Sequence, residues 1–169
     1  FQRNVEELLV SPTPNYIILL GFTMGGLVRG LIVGAAVTIV SLFFTDLHVY
    51  NYFVVISTIM MTATLFSLAG FINAIYANSF DDISIVPTFV LTPLTYLGGI
   101  FYSINMLPEF WQTVSLFNPI LYMVNAFRYG FLGVSDTSLL HSYLIIFVAI
   151  IGLYSFCLYL LNIGKGIRS

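Results

Sequence analysis

Charged residues are so sparse in this chain that they divide it into long uncharged stretches, and no other feature limits its fold as much. A helix rising 1.5 Å per residue needs about 20 apolar residues to cross a ~30 Å hydrocarbon layer. Four stretches are long enough: 16–44, interrupted only by Arg29, then 52–76, 83–102 and 143–163. In lipid every backbone N–H and C=O must be satisfied within the segment, so runs of this length fold as helices. With 59% apolar residues and only 7% charged, five Lys/Arg and seven Asp/Glu, the 169-residue chain cannot clothe a water-soluble globule. The mean hydropathy of +1.01 agrees. A soluble enzyme is excluded on this ground, and the absence of a basic patch excludes nucleic-acid binding. The predicted fold is an all-α integral membrane protein with four transmembrane helices.

The stretch between Glu109 and Arg128 is apolar enough to tempt a fifth crossing, but Asn118, Pro119 and Asn125 interrupt it. Trp111 and Tyr122 suit the headgroup level, and Pro108 stands where a helix would start. The expectation is a short helical hairpin over 104–131, dipping into the outer leaflet ahead of the last span. Four crossings then place Arg3, Lys165 and Arg168 on one side, which the positive-inside rule makes the cytoplasm, so both termini are expected there. The short connection 45–51 carries Asp46 and no Lys or Arg, as expected outside. Segment 1–11 places Phe1, Val5, Leu8 and Leu9 at i, i+4, i+7 and i+8 among polar residues, an amphipathic helix ended by Ser11-Pro12-Thr13-Pro14. Periodicity alone allows either a surface anchor or a docking element. Without an initiator methionine or the pattern of a secretory signal, the sequence reads as starting within a longer protein.

Within the spans a few residues stand out. Gly21/Gly25, Gly26/Gly30 and Gly30/Gly34 repeat GxxxG spacing, which favours close helix packing in a bundle or an oligomer. Arg29 lies inside the first span, where an unpaired cation costs at least ~2.5 kcal/mol. Pairing with Asp81 or Asp82 at the entry to the third span, or snorkelling to lipid phosphates, would relieve that cost. In the third span Ser84, Thr88, Thr92 and Thr95 share a face beside Pro87 and Pro93, a stripe that either lines a path or bonds its own helix backbone.

Catalytic constellations are missing. His48 and His141 are isolated, Cys157 is the single cysteine, and neither GxSxG nor a GxxxxGK[ST] phosphate loop occurs. An intramembrane enzyme would need a nucleophile–base pair or a metal cluster. A secondary carrier or ATP-independent channel, the alternative transport reading, would want a midplane acid, whereas the acids here fall at predicted span ends. If transport uses energy, another chain supplies it.

The stretch LTPLTYLGGIFYSINMLPEFWQTVSLFNPILYMVNAFRYGF, residues 91–131, resembles the signature region of ABC-2 type permeases, the membrane subunits of ATP-binding-cassette exporters. The matching features are Leu97-Gly98 after the bent span, Leu107-Pro108 before the short helices, and Pro119, Tyr122 and Arg128 in NPILYMVNAFR. Phe80-Asp81-Asp82 ahead of the PTFVLTPLTYLGG run is similar to the bacterial multidrug and polysaccharide-export branch. The resemblance covers essentially the whole chain and implies six spans per permease, of which this sequence corresponds to the part after the second. It also implies two permeases, a homodimer here, working with two ATPase subunits that carry the ATP and Mg, so that no cofactor is expected on this chain. Segment 1–11, with Arg3, Glu6, Glu7 and Leu8, is similar to the cytoplasmic coupling helix that docks on the ATPase. The 104–131 hairpin would plug or gate the outer mouth, with Arg128 as its holder or a plain structural anchor. The implied setting is the bacterial inner membrane, in contact with its lipids, and the implied activity is efflux of a lipid, glycan or drug-like substrate.

Overall fold

The computed structural model describes residues 13–46, 48–77 and 79–164. Segment 1–11, with Arg3, Glu6, Glu7 and Leu8, lies outside the described residues, as do Lys165 and Arg168. The described chain is all-helical: α1 (Asn15–Leu42), α2 (Tyr52–Tyr76), α3 (Phe80–Ile85), a π-helical turn (Val86–Leu91), α4 (Thr92–Tyr96), a 3-10 turn (Ile104–Met106), α5 (Glu109–Leu116), α6 (Pro119–Leu132) and α7 (Leu139–Ile163). Among these, α1, α2 and α7 are long and apolar enough to cross a membrane.

Side-chain caps set several boundaries. Asn51 starts α2 by accepting from the N–H groups of Phe53 and Val54 at 3.1 and 3.2 Å, and Ser138 starts α7 by accepting from His141 N–H at 3.4 Å. Gly133 and Gly164, both left-handed, end α6 and α7.

Three helices form the bundle. α1 and α2 run antiparallel: Gly26 faces Ser67 and Gly30 faces Ala63. A methyl added at Gly26 would collide with Ser67, its Cβ only 2.7 Å away, so only glycine lets the two backbones come this close. The Ser67 hydroxyl donates across the contact to Thr23 O at 3.2 Å. α7 runs parallel to α2, since Tyr143 meets Ser57 hydroxyl to hydroxyl at 2.6 Å and Cys157 lies by Leu68 O. At one end Asn15 Nδ2 donates to Asn162 Oδ1 at 2.8 Å, joining the start of α1 to the end of α7. One core cluster joins Leu19, Leu68, Cys157 and Leu161, and another joins Leu65, Leu121, Tyr122 and Ile146. Outside these clusters the helices present Phe22, Ile32, Ile39, Ile56, Phe147 and Ile151 outward, as a bundle solvated by hydrocarbon requires.

The third expected span differs from its prediction. Residues 80–96 form one helical run of 17 residues, opened by a capping box in which Ser79 and Asp82 exchange bonds, and it stops at Leu97 rather than near Tyr102. The cause is the Gly98-Gly99 pair: Gly98 is pressed against Ile120, and Gly99 takes φ +73°. The run starts at the Asn15/Asn162 end, where Asn73 Nδ2 donates to Ile83 O at 3.0 Å, and proceeds toward the opposite end. Its middle is a π-helical turn that contains Pro87 and ends just before Thr92-Pro93, with the Thr92 hydroxyl donating to Pro87 O at 3.1 Å.

Candidate functional site

The 104–131 stretch folds as the 3-10 turn followed by α5 and α6, and α6 caps the end of the bundle at which α2 and α7 begin. Pro108 is the N-cap of α5, and Gln112 bonds backward through its side chain to Leu107 O at 2.7 Å and through its N–H to Pro108 O at 3.0 Å. Pro119 occupies the first turn of α6, where a missing N–H costs nothing. Gly130 of α6 lies against Val55, with a built Cβ only 3.1 Å from Val55 N, and Asn51 N–H donates to Gly130 O at 2.9 Å. At the other end of α6 the buried Tyr122 places its ring beside His141 and donates its hydroxyl to Leu116 O at 2.8 Å.

Two polar fasteners hold α6 to the turn that ends the bent helix. Asn118 caps α6 by accepting from Ile120 N–H at 3.0 Å while its Nδ2 donates to Leu94 O at 2.6 Å. Ten residues later, Arg128 donates from Nη2 to Gly99 O at 2.5 Å and from Nη1 to Asp136 Oδ2 at 3.0 Å. Asp136 is itself positioned: its Oδ1 accepts from Ser103 at 2.9 Å, and its backbone N–H donates to the buried Asn125 Oδ1 at 2.9 Å. Arg128 thus ties together the 97–99 turn, α6 and the approach to α7, its planar fork split between a carbonyl and a carboxylate. Leu97, Gly98, Pro119, Tyr122 and Arg128 converge here, with Leu107 and Pro108 one helix away at the start of α5. The sequence reading missed Gly99, Asn118, Asn125 and Asp136 as members of this cluster. The Gly-Gly pair after the bent helix, and the fact that Asp136 is the one acid after Glu109, were the available signals.

Below this clamp a cavity of about 880 Å3 opens between α1, α2 and α6. Arg29 and Val33 line it from α1, Thr62 and Phe66 from α2, and Met123 and Phe127 from α6; Arg128 also borders it. Arg29 stands at mid-length of the 28-residue α1 and is exposed there. The expected pairing with Asp81 or Asp82 is not formed. Gly30, next to Arg29, packs on Ala63, whereas the 80–85 helix docks by Asn73, ten residues farther along α2. That separation is about 15 Å of helix, beyond the reach of one arginine side chain. Asp82 instead accepts from Ser79 N–H at 3.0 Å. Thr88 and Thr92 are exposed on the bent run and do not line this cavity; the Thr92 hydroxyl is turned to its own backbone.

Comparison with known proteins identifies the family of the chain. Residues 1–132 match the ABC-2 type transporter family. Over all 169 residues the chain is 53% identical to the inner membrane transport permease YadH of Escherichia coli strain K12, and it spans 66% of that protein's length. Nodulation protein J of Rhizobium leguminosarum bv. viciae is 24% identical over 132 residues, 78% of this chain and 51% of that protein. No solved structure matches.

Proposed function

From the premise that this chain belongs to the ABC-2 type transporter family, we propose that it forms the larger part of the permease of an ATP-binding-cassette exporter in the bacterial inner membrane. The observation that carries this reading is the 53% identity to an inner membrane transport permease, sustained along the entire chain. The chain is not an enzyme in this scheme; a separate ATPase binds and hydrolyses ATP with Mg. Two permeases pair with two such ATPases, and the cargo is a lipid, glycan or drug-like molecule.

In this scheme the helical run 80–96 supplies the fourth crossing, and both termini face the cytoplasm. Segment 1–11 docks on the ATPase through Arg3, Glu6, Glu7 and Leu8, and ATP-driven closure pushes it against the start of α1. The permease is the two-state element. Motion of the bent run would be passed to the α5–α6 hairpin through Asn118 and Arg128, because these bonds make the 94–99 turn and α6 move as one. The π-helical turn that contains Pro87 gives that run a place to bend without breaking its ends.

The test is a mild-detergent pull-down of the full-length protein from native membranes through a C-terminal tag. An ATP-binding-cassette ATPase should co-elute, and Glu6→Lys with Glu7→Lys should release it. A preparation free of ATPase in several detergents would refute the exporter reading and leave segment 1–11 as a membrane anchor.

A further inference from the structure

The cavity between α1, α2 and α6 pairs an apolar wall with one cation that has no partner among the described residues. Its two arginines differ sharply. Arg128 is neutralised by Asp136 and has its second fork on Gly99 O, whereas Arg29 makes no ion pair or hydrogen bond among the described residues. No Asp or Glu lines the cavity. Arg29 lies halfway along a membrane-length helix, where a cation without a partner is costly, so an anion brought into the cavity would find a donor fork not yet engaged. The Thr62 hydroxyl on the facing helix adds a second polar group, while Val33, Phe66, Met123 and Phe127 supply apolar surface. The groove is open along one side, and its volume of about 880 Å3 is comparable with that of sites for drug-sized ligands.

We propose that this cavity binds an amphiphile with one anionic phosphate-type head and a hydrocarbon body, the head on Arg29 and the body among the apolar residues of α1, α2 and α6. That the amphiphile is the cargo rests on the exporter reading; that it binds does not. A zwitterionic head would bring a cation against Arg29 and is disfavoured, and a free inorganic anion would forgo the apolar wall.

The full-length protein in phosphatidylcholine nanodiscs is titrated with radiolabelled dodecyl phosphate, with empty nanodiscs as background. Saturable binding is expected, displaced by unlabelled dodecyl phosphate but neither by dodecylphosphocholine nor by inorganic phosphate at the same concentration. Arg29→Gln should weaken binding at least tenfold and Arg29→Lys by less than threefold. Val33→Trp keeps the cation and fills the cavity, and should also weaken binding tenfold, so the inference is tested even if Arg29→Gln fails to fold. Binding no greater than in empty nanodiscs, equal displacement by dodecylphosphocholine or inorganic phosphate, or Arg29→Gln within twofold of wild type would overturn it. Recovery of the partner ATPase is scored on the same preparations. Saturable binding without any ATPase would sink the exporter reading and leave the site, and ATPase recovery without binding would do the reverse.

Discussion

Arg128 shows what a single side chain contributes here and what sequence could foretell of it. Its side chain and that of Asp136 are 22% and 20% exposed, so the pair is neither fully solvated nor deeply buried. Removing Arg128 takes the donor from Asp136 Oδ2 and from the Gly99 carbonyl, and each lost charge-assisted bond is worth ~1.5–3 kcal/mol. Arg128→Ala in the full-length protein should therefore lower stability by about 2–4 kcal/mol, read as a drop in thermal midpoint in nanodiscs. Asp136→Asn should cost less, because the Gly99 bond survives. Arg128→Lys should recover only part of the loss, since an ammonium lacks the planar fork that meets a carbonyl and a carboxylate at once. Equal midpoints for wild type and Arg128→Ala would show that the clamp does not hold the hairpin. The sequence singled out Arg128 but not its partner. Asp136 is eight residues away, beyond a glycine-ended helix, and spacing says nothing about which acid a turn will bring round. The reverse happened with Arg29, where an acid pair was visible in sequence but the helix contacts place it too far along α2.

At the scale of helices, hydropathy located the segments well and their terminations less well. The predicted spans 52–76 and 143–163 correspond to α2 and α7, whose ends follow the loss of apolar sequence and the presence of a cap. The third helix stops at Leu97 because Gly98 and Gly99 allow a turn whose partners, Ile120 and Arg128, come from a helix twenty residues later. The Gly-Gly pair and the two prolines signal a turn and a bend, but nothing local announces those distant partners or the π-helical form of the bend, which shifts the face on which Thr88 and Thr92 fall relative to Ser84. The glycine stripe of α1 likewise looked uniform in sequence and is not. Gly26 and Gly30 are pressed against Ser67 and Ala63, while Gly21, Gly25 and Gly34 have nothing within 4 Å. Gly26→Val should therefore destabilise the bundle by ~1–3 kcal/mol through overpacking, whereas Gly25→Val should stay within about 0.5 kcal/mol. Thermal midpoints of the two variants check this directly. If both fall alike, the α1–α2 contact is not where the close approach lies.

For the molecule as a whole, the directions of the helices carry the argument. Three contacts place the start of α1, the end of α7 and the start of the 80–96 run at one end: Asn15 with Asn162, Leu19 with Cys157 and Leu161, and Asn73 with Ile83. The start of α2, the start of α7 and the α5–α6 hairpin share the other, through Asn51 with Gly130, Ser57 with Tyr143, and Tyr122 with His141. This alternation is what four passes of one chain through a layer would produce, although the run 80–96 is shorter than the other three helices. It fixes relative direction only. The proposed side of the membrane follows from the positive-inside rule applied to Arg3, Lys165 and Arg168. Scanning labelling resolves it. In a full-length protein lacking Cys157 and other reactive cysteines, His48→Cys and Phe110→Cys should react with a membrane-impermeant maleimide added to intact spheroplasts, and Ser79→Cys only after lysis. Reaction of Ser79→Cys in intact spheroplasts would invert the topology. Reaction of His48→Cys alone, with Ser79→Cys and Phe110→Cys both protected until lysis, would mean that the 80–96 run does not separate the two faces, and the π-helical turn would then belong to a helix lying along the bundle rather than one that crosses with it.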